Sequence, residues 1–268
     1  MKKTILTFIL GVIGITSFGQ NLTFYGLLPV INQTGRINKK FNYNLFVSTT
    51  IDAFDSKWNN VEYKPTDLQF YFQPSIIYVH SPKFNIAASY TYQRNNPFNN
   101  TAAVNPSSSA FNNEHRLWQQ AIFSFPVSKG RLTNRFRFEE RFIQQKDNGY
   151  AVPNDYHLFT RLRYQLAFNM PLQGKTLDEK EFYLSAYNEF YFSLTGPKNV
   201  TGAKNATYNE NWSYIGTGYN FGKKGRLELG YLMQTFVRNA NKDLRILQLA
   251  QVMWVTNFDF FKKKEQKK

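Results

Sequence analysis

The stretch Arg135–Phe142 reads RFRFEERF, with a charged residue at every odd-numbered position and phenylalanine at three of the four even-numbered ones. Successive side chains of a β-strand point to opposite faces, so this order is typical of a strand with one charged and one aromatic face. The same alternation recurs in 84–93, 158–170 and 226–231. Two faces of such unlike polarity favour a sheet that separates a polar interior from lipid.

The alternation predicts ten strands, many of them twelve residues or longer. Soluble strands usually have ~5–6 residues, whereas a tilted membrane strand needs ~9–11. The lengths therefore favour a transmembrane barrel over a soluble sandwich. We place the strands at 40–52, 67–80, 83–94, 112–127, 131–144, 156–170, 181–194, 208–221, 226–238 and 244–260.

The connections between these strands alternate between short and long. The short turns are 81–83, 128–130 and 222–225, and the longer connections are 95–111, 145–155 and 195–207. Outer-membrane barrels have tight periplasmic turns and longer outside loops. We therefore expect the two groups at opposite ends of the barrel, with the moderately long link 171–180 on the periplasmic side.

Residues 22–31 also resemble a strand, which would make eleven. Single-chain bacterial barrels have even strand numbers, with both termini on the periplasmic side. Either 22–31 is periplasmic or a further strand lies within 53–66. We predict an all-β fold, a single antiparallel up-and-down transmembrane β-barrel of about ten strands, with twelve as the alternative and both mature termini periplasmic.

The N-terminus has the pattern of a secretory signal. Two lysines follow Met1, residues 5–18 are largely apolar, and Ser17 and Gly19 supply small side chains before Gln20. These features predict a signal peptide over 1–19, a barrel over 20–261 and a basic C-terminal tail over 262–268. After Gln20 no stretch approaches the ~18 apolar residues of a helical span.

Composition narrows the chemistry and the partners. The chain of 268 residues has no cysteine, which excludes disulfides, thiol chemistry and signal-directed lipidation. Aromatic residues make up 18% of it although the mean hydropathy is only −0.48. For an exported protein with net charge +15, we expect outer-membrane lipid and lipopolysaccharide as partners rather than nucleic acid.

Several stretches in the second half of the chain resemble a known family. They are NEHRLWQQ at 113–120, RFRFEERF at 135–142, RLRY at 161–164, YNEFYF at 187–192, GTGY at 216–219 and LGYLMQ at 229–234. In this order they resemble the outer-membrane β-barrel proteins of domain-of-unknown-function family 2490. Asn211-Trp212 departs from the pattern where an arginine is expected. The resemblance implies an outer-membrane barrel and no established activity.

Catalytic and metal-binding signatures are weak. His80, His115 and His157 are dispersed, His115 has no serine two residues away on its strand, and no G-x-S-x-G elbow is present. The spacing fits no zinc or calcium site, and we expect no metal or cofactor. We interpret the protein as non-enzymatic, with an outer-membrane rim enzyme acting on lipid or lipopolysaccharide as the alternative.

The residues of most interest form an inward ladder of charges. Its members are Glu114, Arg116, Trp118, Arg135, Arg137, Glu139, Arg141, Arg161, Arg163 and Glu189. Arginines inside a barrel could line an anion-selective channel, or they could form salt bridges that fill a narrow lumen. Because glutamates are interleaved, we predict a polar, salt-bridged and occluded lumen.

The hairpin of 112–127 and 131–144 admits a register in which unlike groups face each other. It sets Glu114 opposite Arg141, Arg116 opposite Glu139, and Trp118 opposite Arg137, all favourable cross-strand pairs. Sliding by two residues would oppose Arg116 to Arg141, so we expect the first register. Arg161 and Arg163 on the next strand should then make Glu139 the centre of the network.

Overall fold

A closed β-barrel accounts for nearly all of the chain that the structure describes. The computed structural model describes residues 22–52, 57–58, 61–62, 67–95, 112–147, 150–174, 176–195, 208–237 and 244–260. The predicted signal peptide and basic tail lie outside these residues and stay predictions.

Eleven strands form the barrel, and two very short strands pair with each other apart from it. The barrel strands are β1 (Leu22–Arg36), β2 (Phe41–Asp52), β5 (Asp67–Val79), β6 (Phe84–Asn95), β7 (Asn112–Val127), β8 (Gly130–Asp147), β9 (Tyr150–Pro171), β10 (Phe182–Thr195), β11 (Tyr208–Asn220), β12 (Arg226–Val237) and β13 (Leu244–Asn257). The short pair is β3 (Lys57–Trp58) and β4 (Val61–Glu62). Gly222–Lys224 forms a single 3-10 turn. In the described part of the chain, no helix is long and apolar enough to cross a membrane.

All ten predicted strands are confirmed, most of them to within one or two residues at each end. β13 ends at Asn257, three residues before the predicted end, and the hairpin of β8 and β9 extends through the segment predicted as the loop 145–155. Pairing continues to Asp147 with Tyr150 and leaves only 148–149 between the strands. The polar composition of this segment favoured a loop, but the backbone ladder does not require apolar side chains.

The predicted even strand number is wrong. Residues 22–31 lie in β1, which pairs with β2 in antiparallel and with β13 in parallel orientation. A chain that reverses direction at every hairpin brings the first and last strands of an odd set into the same direction, so the barrel must close with a parallel pair. The rule that gave ten or twelve strands is therefore not obeyed.

The parallel closure also places the first and last residues of the barrel strands at opposite ends of the barrel. β1 begins at Leu22, beside Arg245 near the start of β13, and both strands run towards the end that carries the short turns. Leu22 thus lies at the long-connection end and Asn257 at the turn end. The expectation that both mature termini are periplasmic relied on an even count and loses that support.

The two kinds of connection leave from opposite ends of the barrel, as predicted. The turn end carries 37–40, 80–83, 128–129, 172–181 and 221–225, and the opposite end carries 53–66, 96–111, 148–149, 196–207 and 238–243. The link after β9 joins the turn end, which agrees with the sequence-based assignment.

The faces of the strands are also as predicted from the alternation. Phe136 is 52% exposed on the outside, whereas Arg137 and Glu139 are buried in the interior. Large apolar residues are exposed on the outer face of strands all around the barrel. Examples are Ile31, Phe72, Ile86, Leu117, Leu162, Leu194, Ile215, Leu229 and Val252.

The interior has two unlike walls. The wall of β7–β10 carries the charged ladder. The opposite wall carries a cluster of apolar side chains with tyrosine, made of Phe24, Leu28, Val30, Tyr214, Leu232, Leu247 and Leu249. Tyr214 fits because glycines lie beside it, and a Cβ added at Gly216 would come 2.2 Å from its hydroxyl oxygen.

The parallel seam can be tested by cross-linking, since the natural chain has no cysteine. Leu27 and Ala250 are paired across the seam on the outer face. Disulfides require Cα atoms within ~7 Å, so oxidation of the Leu27→Cys/Ala250→Cys variant should give a cross-link that shifts mobility on a non-reducing gel.

The matched control is Leu27→Cys/Tyr231→Cys, because Tyr231 pairs with Ala250 and lies one strand further from β1. It should not cross-link. A barrel without β1, or one closed in a different register, would leave both variants reduced.

Candidate functional site

The ten predicted ladder residues all lie on the inner face of β7–β10 and are joined by ion pairs or ring contacts. Eight of them are buried, and the side chains of Arg135 and Arg141 are 21% and 16% exposed. They come together because neighbouring strands present their inward residues at similar heights along the barrel axis.

Glu139 on β8 is the centre of the network and is fully buried. Arg161 lies directly opposite on β9 and donates from Nε and Nη2 to Glu139 Oε2, at 2.8 and 2.6 Å. Arg163 donates from Nη1 to Oε1 at 2.7 Å. Arg137 Nη1 lies 3.6 Å from the same oxygen. One carboxylate therefore holds guanidinium groups from its own strand and from the next.

Glu114 forms a second node towards the long-connection end. Arg141 donates to both of its oxygens, from Nε at 2.6 Å and from Nη2 at 3.0 Å. Arg116 donates to the same carboxylate and also to the side-chain oxygen of Gln93. A glutamate and a neutral amide thus bind two arginines.

Glu189 on β10 forms the third node, nearer the turn end. Arg163 donates to both of its oxygens, from Nε at 2.9 Å and from Nη2 at 2.8 Å. Arg135 donates to Oε1 at 2.8 Å, and the Tyr191 hydroxyl donates to Oε2 at 3.2 Å. Because Arg163 contacts both Glu139 and Glu189, it links the central node to this one. Such charge-assisted, bidentate pairs are the strongest hydrogen bonds a protein side chain makes.

Two members of the network were missed from the sequence. Glu210 on β11 accepts from Arg161 Nη1 at 2.9 Å and from the Trp212 indole N–H at 2.6 Å. The Tyr191 ring lies under the guanidinium groups of Arg161 and Arg163, at 4.6 and 4.4 Å. The alternation of the sequence contains a signal for both residues. Tyr191 lies two residues from Glu189 and shares its strand face, and Glu210 in the same way shares the strand face of Trp212.

The register predicted for the β7–β8 hairpin is wrong by two residues. Arg116 lies opposite Arg141, and Trp118 lies opposite Glu139. The two-residue turn at 128–129, in which Ser128 has a φ of 54°, pairs Val127 with Gly130 and fixes the register of the whole hairpin. Turn geometry therefore outweighs the direct pairing of charges.

Two of the three expected pairs still meet, but along diagonals, whereas Arg116 bonds to Glu114 instead of Glu139. Arg141 reaches Glu114, and the Arg137 guanidinium lies 3.8 Å from the centre of the Trp118 ring. Diagonal neighbours on a sheet lie within reach of long side chains. This reach allows the hairpin to adopt the register set by its turn and still pair its charges.

A cavity of about 780 Å³ lies between the network and the turn end. Its inner end is lined by Trp118, Arg137, Arg163, Glu189 and Trp212, whereas Glu114, Glu139 and Arg161 do not line it. Its other end is lined by residues near the turns, including Arg36, Arg131 and Asp259. We call this cavity the vestibule. The network lies at the inner end of the vestibule, towards the long connections.

The three histidines lie apart from the network. The His115 ring is on the outer face, where its Nδ1 lies 2.6 Å from the Tyr90 hydroxyl and its ring contacts Tyr92 and Tyr156. His80 lies at the turn end, and His157 is 3.4 Å from Asp155. Within the described residues, no three potential metal ligands are grouped closely enough to hold an ion.

Glu139→Ala should destabilise the folded barrel more than any other single glutamate substitution. Removing one partner of a buried ion pair costs about 3–5 kcal/mol, and here several arginines lose a shared carboxylate. Urea unfolding of the refolded protein, followed by tryptophan fluorescence, measures the change in the free energy of unfolding.

Glu140→Ala is the matched control, since it removes the same charge from the neighbouring outward position. It should change the free energy of unfolding by less than about 1 kcal/mol. Equal effects of the two substitutions would show that the network does not stabilise the barrel.

Comparison with known proteins gives a family and a distant structural likeness. The solved structure of LpxR from Salmonella typhimurium matches 80% of this chain and 83% of its own, at 9% identity and a TM-score of 0.44. No curated protein matches the chain. The model of the family described as protein of unknown function (DUF2490) matches residues 30–245, which is most of the chain. The chain therefore belongs to the DUF2490 family.

Proposed function

We propose that this protein is an integral β-barrel of the bacterial outer membrane, with a lumen closed by its charge network and no catalytic activity of its own. The observation that carries the proposal is the pairing of a buried arginine–glutamate network inside with exposed aromatic and aliphatic side chains outside. A soluble protein has the opposite arrangement.

The outer surface supports insertion into a lipid bilayer. Exposed apolar side chains occur on strands all around the barrel, from Ile31 on β1 to Val252 on β13. In water this continuous apolar surface would be a site of aggregation, whereas in lipid it is the required exterior. The closed sheet also pairs its backbone groups internally, which the hydrocarbon region demands.

The outer membrane is the bilayer that fits best. Transmembrane barrels with short turns at one end and longer connections at the other are typical of it, and the predicted signal peptide over 1–19 would supply export. The net charge of +15 suits contact with anionic lipid and lipopolysaccharide phosphates. We propose these as its surroundings.

The position of the network supports a closed lumen. The vestibule ends at Arg137 and Arg163, and beyond it the glutamates at 114, 139 and 210 hold arginines between them. The apolar cluster fills the opposite wall, with Leu232 and Leu247 fully buried. Dense side chains at this level would leave ions no continuous aqueous path.

An anion-selective channel is a second candidate, favoured by one observation. Arginines outnumber carboxylates along the vestibule, and rings of arginine select anions in pores. This candidate requires the network to open. Conductance distinguishes it from the closed barrel.

In planar bilayers the wild-type protein should conduct little. Glu139→Ala/Arg161→Ala removes the central pair without changing the net charge, and it should raise conductance because it shortens the side chains that close the vestibule. A large, steady, anion-selective conductance of the wild type would show that the protein is a channel and not a closed barrel.

The matched control for this experiment is Arg36→Ala/Asp259→Ala. It also removes an ion pair without net charge change, at 2.6 Å between Nη2 and Oδ2, but at the turn end of the barrel. Its conductance should equal that of the wild type.

A rim enzyme acting on lipid is the alternative from a different class, and His115 is its best candidate residue. The contacts of this ring with three tyrosines support a role at the level of the lipid head groups, where aromatic residues concentrate. Refolded protein should release no fatty acid from lipopolysaccharide or phospholipid vesicles. Release that is abolished by His115→Ala would establish the enzyme instead.

A further inference from the structure

We propose that the vestibule is a binding site for a small saccharide that carries a phosphate or carboxylate group. This goes beyond the closed-barrel proposal, which assigns the cavity no ligand. Its volume of about 780 Å³ lies within the ~300–1,000 Å³ usual for small-molecule sites. Its charge, its neutral polar lining and its aromatic lining support such a ligand.

The inner end of the vestibule carries more positive charge than its carboxylates neutralise. Arg137 is buried, yet its nearest acceptor is the neutral side-chain oxygen of Gln120, at 3.0 and 3.1 Å. Arg137 also faces Arg163 directly across the β8–β9 pair, a like-charge placement that is unfavourable by itself. A bound anion would compensate this excess.

Two further guanidinium groups of the lining each have one buried nitrogen without a partner. Arg135 Nε and Arg226 Nε are buried and have no hydrogen-bond partner in the described part of the chain, and both arginines line the vestibule. Buried donors without partners are rare in native proteins. Phosphate and carboxylate oxygens are the acceptors that guanidinium groups bind best.

The charge of the whole lining points the same way. It contains six arginines and three carboxylates, an excess of three positive charges. Arg36 and Asp259 pair with each other, so the excess comes from the remaining residues. A cleft closed at one end, with walls of low dielectric constant, concentrates the field of such charges on an entering anion.

The rest of the lining suits a hydroxylated body. Neutral amides line the vestibule on many of the strands, among them Asn32, Asn44, Gln73, Gln120, Asn169 and Gln251. Amides both donate and accept, and they therefore match hydroxyl groups, which do the same. The rings of Tyr71 and Trp212 also line the cavity and offer apolar surface against which a sugar ring can pack.

The geometry also gives the direction of entry. The network closes the inner end, and the lining at the other end includes the exposed Arg36 and Arg131 near the turns. A ligand would enter from the turn end with its anionic group leading towards Arg135 and Arg137. In the proposed membrane orientation this is the periplasmic side.

Binding is measured on the refolded full chain in detergent micelles, by tryptophan fluorescence and calorimetry. The probes are glucose 6-phosphate, glucuronate, glucose and inorganic phosphate. One or both anionic sugars should bind, and glucose and inorganic phosphate should each bind at least about tenfold more weakly. The two anionic sugars show whether phosphate or carboxylate is preferred.

Arg135→Gln should weaken binding of the anionic sugars by about tenfold, the loss expected for a hydrogen bond to a charged group. Glu189 keeps Arg163 in this variant, so the barrel should still fold, which the heat-dependent shift of its band on a gel verifies. Arg226→Gln should weaken binding similarly. Lys223→Gln removes the same charge from the exposed turn and should leave the affinity unchanged.

The proposal fails if neither anionic sugar binds, or if Arg135→Gln and Arg226→Gln both bind them like the wild type. Inorganic phosphate binding as tightly as glucose 6-phosphate would also overturn it, because the amides and aromatic rings would then contribute nothing. Since no bilayer is involved, these results are independent of whether the barrel conducts ions.

Discussion

The burial of arginine guanidinium groups against a few carboxylates is the constraint on which the rest of this barrel depends. A buried charge without a partner costs several kcal/mol, so every inward arginine needs an acceptor at a fixed height along the axis. Glu139 meets this need for two strands at once, and Glu189 extends it to a third. The ion pairs thereby tie β8, β9 and β10 together through their side chains as well as through their backbones.

The same requirement explains why the two walls of the interior differ. Arginines on the remaining strands would need further buried carboxylates to pair with them, and the wall opposite the network is built from aliphatic and aromatic residues instead. Tyr214 lies on this wall where glycines give it room, as Gly230 on the neighbouring strand does. The vestibule lies towards the turn end, where amides such as Asn32 and Asn169 join residues of both walls in lining it.

Side-chain alternation was enough to predict the strands, their faces and most of the network, because it depends only on the geometry of a single strand. Register depends on the turn, so the pairing of β7 with β8 was off by two residues although Arg141 still reaches Glu114. The strand number failed for a different reason. The alternation revealed β1, but a rule about other barrels argued against it. Glu210 was missed since the inward face of β11 was not assigned.

The parallel seam has a consequence for the order in which the molecule can fold. Paired residues across the seam, such as Thr34 and Asn257, are 223 residues apart in the chain. The strands of every other neighbouring pair follow one another along the chain as barrel strands and are joined by a connection. Contacts between residues so distant in sequence carry the largest loop-closure entropy and form late. Closure must therefore await the formation of β13. Until then β1 and β13 expose unpaired edges, to which a folding catalyst or a neighbouring sheet can bind.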